Sequence, residues 1–361
     1  MNLLYNHLSV NQDGHLAIGG LDTLALAKQF GTPAYIMDED AIRAMMRTYL
    51  DAAHTYFGAD ALPLYASKAL CFTGIYRIVN ECGMGTDLVS AGELYTAVRA
   101  GFPLCKAFFH GNNKTDSDIT FAMEKGVGFF VVDGAEELYA IQTEAENKGI
   151  TQKILLRITP GIDPHTHKKI STGSEESKFG IPLRCGAALD MTKAALSMKN
   201  IHLCGFHCHV GSQVFNEEGN VYLEAATIML KFFADIYHKY DVKAEILNMG
   251  GGFGVRYTEA DPYLDIDANI KTLADHIRDI AEKLSIPMPK ILMEPGRSIV
   301  ADAGLTLYTA GTRKEIKGFK CDIDLREQEA RIDKLRKEAM EEQIDNEIEV
   351  SMGEEADKYA N

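Results

Sequence analysis

Eight short β-prone runs recur along this chain, and stretches with helical periodicity separate them. Eight strands alternating with helices predict an α/β protein built on a TIM (β/α)8 barrel, because a doubly wound sheet rarely reaches eight strands without an edge. The predicted strands are Leu62–Ser67, Gly85–Val89, Ala107–His110, Gly128–Asp133, Ile154–Thr159, Cys204–Val210, Ile246–Met249 and Ile291–Glu294. Helices are predicted between them, for example over Gly92–Arg99, Glu136–Asn147 and Tyr222–Tyr240.

The remaining sequence predicts additions at both ends of the barrel. Residues 1–30 hold short alternating pieces and are expected to form strands of a side β-domain. Residues 31–312 form the predicted barrel domain, which opens with a strand over Thr32–Asp38 and a helix from Glu39 to about Tyr56. Residues 313–361 are rich in charge and are expected to be a helical or disordered tail, since the apolar seam is too short for a coiled coil.

Composition excludes several classes of function. The formal net charge of −15 and the lack of a basic stripe argue against a nucleic-acid partner. No apolar run reaches membrane-spanning length and the first residues do not read as a signal peptide, so a cytoplasmic location and no membrane partner are expected. Seven cysteines without a CxxC pair predict reduced thiols, mostly buried, and no structural metal site.

Polar residues stand within two positions of the end of each predicted strand. They are Lys68, Asp87, His110, Asp133, Arg157, His209, the glycines after Asn248, and Glu294. Any single strand can end in a polar residue where it meets water. Barrel enzymes have their active sites at the carboxyl ends of the strands. The whole set is therefore predicted to converge at this end of the barrel, the barrel mouth.

An amine, an anion cradle and a carboxylate are predicted to meet there. Lys68 follows apolar residues, which would partly desolvate an amine and suit a Schiff-base lysine, although a strand-end lysine also reaches water easily. Gly251 and Gly252, in the stretch 250–254, would let backbone N–H groups approach an anion, or else form a tight turn. Glu294 could keep a pyridine nitrogen protonated and Arg297 could bind a phosphate or a substrate carboxylate, unless the two form a simple ion pair. Together these groups are what a pyridoxal 5'-phosphate enzyme needs.

The histidines after the sixth strand allow two interpretations. His207 and His209 are two residues apart, so they would share one face of a strand and could bind a metal. The favoured alternative is that the ring of His209 packs on a flat cofactor while the Ser212 hydroxyl meets its phosphate.

These motifs together resemble the fold-type III pyridoxal phosphate enzymes, whose barrel is of the alanine racemase-like type, and more closely the diaminopimelate decarboxylases. The resemblance covers roughly residues 1–318. It rests on Tyr65–Lys68, Asp87–Leu94, Phe109–Lys114, Arg157–Ile162, Ser177–Gly180, His207–Gln213, Gly250–Gly254 and Glu294–Arg297.

The resemblance implies a role for each matched residue. Lys68 would carry the cofactor covalently, with Asp87 supporting the lysine and His209 stacked on the ring. Arg157 would lie near the phenolic oxygen of the ring, and Glu294 would hold the pyridine nitrogen. Ser212, Gly252 and Gly296 would bind phosphate, and Arg297 would contact phosphate or substrate.

The implied reaction is the decarboxylation of meso-2,6-diaminopimelate to L-lysine, in lysine biosynthesis. A pyridoxal phosphate-binding protein without turnover and a decarboxylase of another basic amino acid are the alternatives. The resemblance also implies a homodimer and a C-terminal β-sandwich carrying an Arg-Pro-x-x-Tyr and a Cys-Glu-Ser element. Neither element follows residue 312, so the β-sandwich is expected to be largely missing, and Cys321 is not expected to donate the proton. Substrate selection and reprotonation are therefore the steps that the divergent C-terminus is expected to impair.

Overall fold

The computed structural model describes residues 3–162, 177–215, 220–242, 244–312 and Lys334. The chain divides into two compact units, Met1–Thr309 and Ala310–Asn361. The predicted tail at residues 313–361, including Cys321, lies outside the described residues except for Lys334. The strands and helices of the barrel all belong to the first unit.

The chain begins with a small antiparallel sheet. Its strands are β1 (Leu8–Val10), β2 (Leu16–Ile18) and β3 (Leu21–Asp22). Helix α1 (Thr23–Phe30) follows, because Asp22 caps its first N–H groups and Gly31 ends it. Strand β4 (Ala34–Met37) and helix α2 (Glu39–Phe57) then lead into the barrel. The predicted strand and helix are both present here, whereas α1 was not predicted.

Eight parallel strands close into a barrel, which confirms the predicted fold. They are β5 (Leu62–Ala66), β6 (Gly85–Leu88), β7 (Ala107–Phe109), β8 (Phe129–Val132), β9 (Gln152–Thr159), β11 (Ile201–His207), β12 (Ile246–Asn248) and β13 (Lys290–Met293). Their order around the barrel is β9-β11-β12-β13-β5-β6-β7-β8, and β8 pairs back with β9. The predicted and observed ends of each strand differ by no more than three residues. Two short strands lie outside the barrel ring: β10 (Ile181–Pro182) pairs in parallel with the last residues of β9, and β14 (Gly304–Leu307) pairs antiparallel with β4.

Helices surround the barrel and occupy the predicted positions. They are α3 (Thr73–Cys82), α4 (Ala91–Ala100), α5 (Asp116–Lys125), α6 (Ala135–Lys148), α7 (Ala187–Ser197), α8 (Val221–Tyr240), α9 (Ile266–Lys283) and the short α10 (Arg297–Val300). Side-chain caps start several of them, as at Ser90, Thr115 and Asp265. None of the helices in the described part of the chain has the length and apolar content that crossing a bilayer requires.

The apolar core has two layers, because successive strand residues face opposite sides of the sheet. One layer fills the barrel interior and is formed by Leu64, Phe108, Val131, Leu155, Cys204, Ile246 and Leu292. The other packs the outer strand faces against the helices. Gly85 lies opposite Leu64, and a Cβ at this position would collide with the Leu64 side chain.

The cysteines differ in part from the prediction. The six described cysteines are free, as expected. The expectation that they are mostly buried was wrong, since Cys71, Cys105 and Cys185 are exposed and only Cys204 and Cys208 are fully buried. Cys71 and Cys185 lie in a connection and a turn, and Cys105 lies in a one-turn 3-10 helix, so the periodicity of the barrel strands and helices does not indicate their exposure.

Candidate active site

The carboxyl ends of the barrel strands enclose two cavities that share five lining residues. The larger has a volume of about 420 Å³ and the smaller about 260 Å³. Both are lined by Lys68, His209, Ser212, Glu294 and Arg297. The larger is also lined by Asp87 and Arg157, and the smaller by Gly251, Gly252 and Gly296. The structure thus brings all ten predicted site residues to the same barrel mouth.

Lys68 lies just beyond its strand rather than on it. Strand β5 ends at Ala66, and Ser67–Ala69 form a 3-10 turn. Ser67 is buried and anchors this turn, since its hydroxyl lies 2.7 Å from the Asp87 carbonyl oxygen and 2.5 Å from Glu93 Oε2. The backbone N–H of Val89 donates to the same Glu93 oxygen at 2.8 Å, so the turn is tied to β6 and α4.

The environment of Lys68 differs from the expectation of partial desolvation. Lys68 is exposed, whereas its neighbour Ser67 is completely buried. The reason is the turn, which moves the lysine out of the apolar strand and into the open cavity. The sequence pattern correctly located the end of the strand but not the direction taken by the next residue.

Glu294 is a buried acid with several N–H partners. It follows β13 and is 6% exposed. Asn248 Nδ2 donates to its Oε1 at 2.6 Å, and His207 Nε2 lies 3.1 Å from its Oε2. Burial alone would raise the pKa of the Glu294 carboxyl, but His110 and His207 outweigh burial and hold this pKa well below its ordinary value. Glu294 is therefore an anion at the centre of the mouth.

His209 is a neutral ring with a fixed orientation. The backbone N–H of Gly251 donates to its Nδ1 at 3.2 Å, so the ring accepts a hydrogen bond at this nitrogen. Burial lowers the pKa of His209 well below its ordinary value, and the positive charges of Lys68 and Arg157 lower it further. A neutral, oriented imidazole is able to pack flat against an aromatic ring without carrying charge into the cavity.

The glycine turn packs too closely for side chains. A Cβ on Gly251 would collide with the carbonyl oxygen of Glu294, and one on Gly252 would collide with that of Gly211. Gly252 also has a φ of 98°, which disfavours other residues. The N–H of Gly250 donates to Asn248 Oδ1 at 2.9 Å, so Asn248 fixes both this turn and the Glu294 carboxylate.

Asp87 lies on β6, on the other side of β13 from the glycine turn in the barrel order. It is 1% exposed, and burial raises the pKa of its carboxyl to about 6 despite the neighbouring charges of His110 and Lys68. Asp87 Oδ1 lies 3.9 Å from His110 Nε2. The mouth therefore holds two buried carboxyl groups with opposite pKa shifts.

Arg157 is positioned by a segment that sequence reasoning did not place at the site. Its guanidinium lies 4.5 Å from the centre of the Phe179 ring, a cation–π distance, and its Nε lies 3.7 Å from Asp133 Oδ1. The Thr159 hydroxyl donates to the Phe179 carbonyl at 2.7 Å, and the Gly180 N–H donates to Asp133 at 2.7 Å. Phe179 thus forms part of the cavity wall.

Arg297 and the two histidines of the HxH pattern have partners other than those considered from the sequence. Arg297 donates from Nη1 to the Tyr257 hydroxyl at 3.3 Å, and no ion pair between Glu294 and Arg297 is found among the described residues.

His207 groups with His110 and Glu294, whose ligand atoms lie within 4.8 Å of one another, whereas His209 binds the glycine turn. The two histidines of the HxH pattern therefore do not act as a pair.

The family model for the pyridoxal-dependent decarboxylase, pyridoxal binding domain, matches residues 41–301. The chain is 41% identical over 311 residues to diaminopimelate decarboxylase from Bacillus methanolicus, covering 86% of this chain and 71% of that protein. The chain belongs to the diaminopimelate decarboxylase family. The enzyme from Bacillus subtilis (strain 168) is similar at 41% identity over 310 residues, covering 86% of this chain and 70% of that protein.

Solved members of the diaminopimelate decarboxylase family share the fold. The crystal structure from M. jannaschii in complex with L-lysine has a TM-score of 0.77 and 34% identity, and covers 86% of this chain and 71% of that one. The Helicobacter pylori enzyme complexed with L-lysine has a TM-score of 0.69 and 31% identity, and covers 78% of this chain and 68% of that one. The alanine racemase-like barrel expected from the resemblance is therefore confirmed.

Several residues of this family site were not assigned by sequence reasoning. Asn248 could have been assigned from the sequence, because it is a polar residue at the end of β12, two positions before the first glycine of the turn. Ser90 and Glu93 have the spacing of a capping box, but the Glu93 side chain contacts Val89 and Ser67 instead of closing that box. Phe179 had no strand-end signal, because it reaches the mouth from a connecting segment.

Proposed function

We propose that this chain catalyses the pyridoxal phosphate-dependent decarboxylation of meso-2,6-diaminopimelate to L-lysine. It belongs to a family of decarboxylases, so it is an enzyme of the carboxy-lyase type with an amino-acid substrate. The observation that carries the proposal is the convergence of Lys68, the glycine turn and the anionic Glu294 on adjoining cavities. Relatives crystallised with L-lysine support the assignment of the product.

The residues present fit pyridoxal phosphate. Glu294 is an anion inside the barrel, which suits a protonated ring nitrogen. Gly251 and Gly252 leave room for an anion where a Cβ would intrude on the packed backbone. Lys68 lines both cavities, and the neutral ring of His209 does so as well.

Each residue has a separate task in the proposed mechanism. When bound, pyridoxal phosphate supplies an electron sink for the electron pair released as carbon dioxide leaves. Lys68 would hold the cofactor covalently through its side-chain amine. Glu294 would keep a proton at the ring nitrogen, and His209 would pack against the ring face.

The remaining contacts are assigned to the polar ends of the cofactor and the substrate. Ser212, Gly252 and Gly296 hold the phosphate in this proposal, and Arg297 contacts phosphate or substrate. Arg157 would lie near the phenolic oxygen of the cofactor, and Phe179 covers the Arg157 guanidinium. Asp87 supports the position of Lys68.

Assembly, location and domain limits form part of the same proposal. A homodimer is proposed because the resemblance implies sites completed by a second subunit. A cytoplasmic location is proposed, and the free described cysteines are compatible with it. The division into 1–30, 31–312 and 313–361 is likewise retained as a proposal.

Product analysis tests the proposed function. The purified chain, supplied with pyridoxal phosphate and meso-diaminopimelate, is expected to release carbon dioxide and L-lysine in equal amounts. Ornithine, arginine and lysine in parallel reactions test the alternative of another basic amino-acid decarboxylase. Bound cofactor with no carbon dioxide from any of these substrates would contradict the proposal and favour a binding protein without turnover.

A further inference from the structure

Three barrel strands besides β13 direct N–H groups at the carboxylate of Glu294. Asn248 from β12 and His207 from β11 reach it at 2.6 Å and 3.1 Å. His110 follows β7, and its Nε2 lies 2.9 Å from Glu294 Oε1, a close electrostatic contact whose angles do not meet hydrogen-bond geometry. All four side chains are buried, so water does not compete for these contacts.

His110 differs from the other two because it reaches across the barrel. β11 and β12 lie on the same side of β13, whereas β5 and β6 separate β7 from β13 in the other direction. His110 Nε2 also lies 3.9 Å from Asp87 Oδ1, so it faces two carboxyl groups. A nitrogen lone pair in this position would be repelled by both oxygens, and Nε2 must therefore carry a hydrogen.

The ring of His110 is held in place by its surroundings. Its backbone N–H donates to the Leu88 carbonyl at 2.7 Å, and Lys114 Nζ fixes the next carbonyl, that of Gly111, at 2.8 Å. The His207 ring packs edge to face at 5.0 Å. His110 is 4% exposed, so the ring has little freedom to leave the carboxylate.

We propose that His110 is a positioning residue of this active site, which holds Glu294 anionic and correctly oriented through the N–H of its Nε2. The inference rests on the proposed function, because it concerns the acid assigned to the ring nitrogen. His110 would touch neither the substrate nor the reacting atoms. Its effect on the cofactor would be indirect, through the charge and orientation of Glu294.

The variants separate donation of a hydrogen from filling of space. His110→Gln retains an N–H at a similar reach, and His110→Leu retains a similar volume without a donor. His202→Gln is the matched control, since His202 is an exposed histidine on β11. Apo protein is titrated with pyridoxal phosphate and followed by absorbance, and kcat and KM are then measured with meso-diaminopimelate.

We expect His110→Leu to weaken cofactor binding by roughly 10- to 100-fold, the effect of leaving a buried charged group without one of its polar partners. His110→Gln is expected to restore most of this loss, and His202→Gln to match the wild type. kcat is expected to fall in His110→Leu while KM for the amino acid stays within a few-fold, because Glu294 acts on the cofactor ring. A purely structural role would instead lower the melting temperature of the apo protein in both Leu and Gln variants.

A double-mutant cycle with Glu294→Gln completes the test. His110→Leu is expected to cost little more once Glu294 has lost its charge. Wild-type affinity in His110→Leu, or additive losses in the double variant, would overturn the inference while leaving the proposed function intact. A wild-type protein that binds no cofactor would overturn the proposed function itself. If His110→Leu does not fold, His110→Asn takes its place, because its shorter amide does not reach Glu294.

Discussion

A buried ion pair stabilises the loop after β7, which lines part of the larger cavity. Lys114 and Glu137 have side chains that are 2% and 9% exposed, and Lys114 Nζ lies 2.6 Å from Glu137 Oε1. Lys114 Nζ also donates to the carbonyls of Gly111 and Val131, both at 2.8 Å. Replacing Lys114 by Met removes the charge and all three hydrogen bonds while keeping most of the volume.

The burial of the pair determines the expected magnitude. In Lys114→Met, the Glu137 carboxylate stays buried and keeps the hydrogen bond from the Asp133 N–H, 3.0 Å away, but loses the opposite charge. Breaking a buried pair in this way costs about 3–5 kcal/mol of unfolding free energy. Lys271 and Asp275 on α9 provide the matched control, since their atoms are 2.7 Å apart but the side chains are 56% and 52% exposed. Lys271→Met is therefore expected to cost less than about 1 kcal/mol.

Urea unfolding of Lys114→Met, Lys271→Met, Glu137→Leu and the wild type at pH 7 measures these differences. The double variant Lys114→Met/Glu137→Leu is expected to recover part of the loss, because it leaves no unpaired charge in the interior. Equal costs for Lys114→Met and Lys271→Met would refute the reasoning that burial, rather than distance, makes this pair important. A double variant as unstable as the sum of its single variants would refute the assigned coupling.

Three further predictions concern the barrel mouth. Gly252→Ala is expected to weaken cofactor binding at least tenfold, because Gly252 has a φ of 98° and an added Cβ would collide with a backbone carbonyl. Gly92→Ala is the control, since Gly92 is an exposed residue of α4 with space for a Cβ. This variant should bind the cofactor normally in the same titration. Burial lowers the pKa of His207 from 6.5 to about 4 in the folded protein. The unfolded chain therefore binds a proton at this residue more readily, and the free energy of unfolding falls as the pH drops from 6.5 to about 4. His207→Gln should flatten this pH dependence of the unfolding free energy, measured by urea unfolding. Ser67→Ala should slow formation of the reducible adduct at Lys68 about fivefold, by loss of one anchoring hydrogen bond, measured by stopped-flow absorbance.

The barrel was predictable because its signals are local. Strands and helices alternate with clear periods, and most barrel strands carry a polar residue in or just after their last residues. The signals for α1 were also present, with Asp22 as its cap and Gly31 after its end, although the prediction overlooked them. The pairing of β14 with β4 had no such signal, because it joins segments far apart in the chain.

The site was predictable as a set but not as a network of contacts. The strand-end rule places Glu294, His110 and Asp87 at the same mouth. The contacts among these residues depend on the tilt and register of the strands around a closed barrel. The sequence of an individual strand does not determine either quantity. The turn that exposes Lys68 depends likewise on Ser67 binding a carboxylate from a different helix.

The most direct test of the central claim is to locate the cofactor on the chain. The protein is incubated with pyridoxal phosphate, reduced with borohydride, digested and analysed by mass spectrometry, with Lys68→Ala in parallel. The proposed site predicts one phosphopyridoxyl group, on the peptide containing Lys68, and none on that peptide in the variant. Modification of other lysines alone, or no reducible adduct in the wild type, would contradict the proposed site.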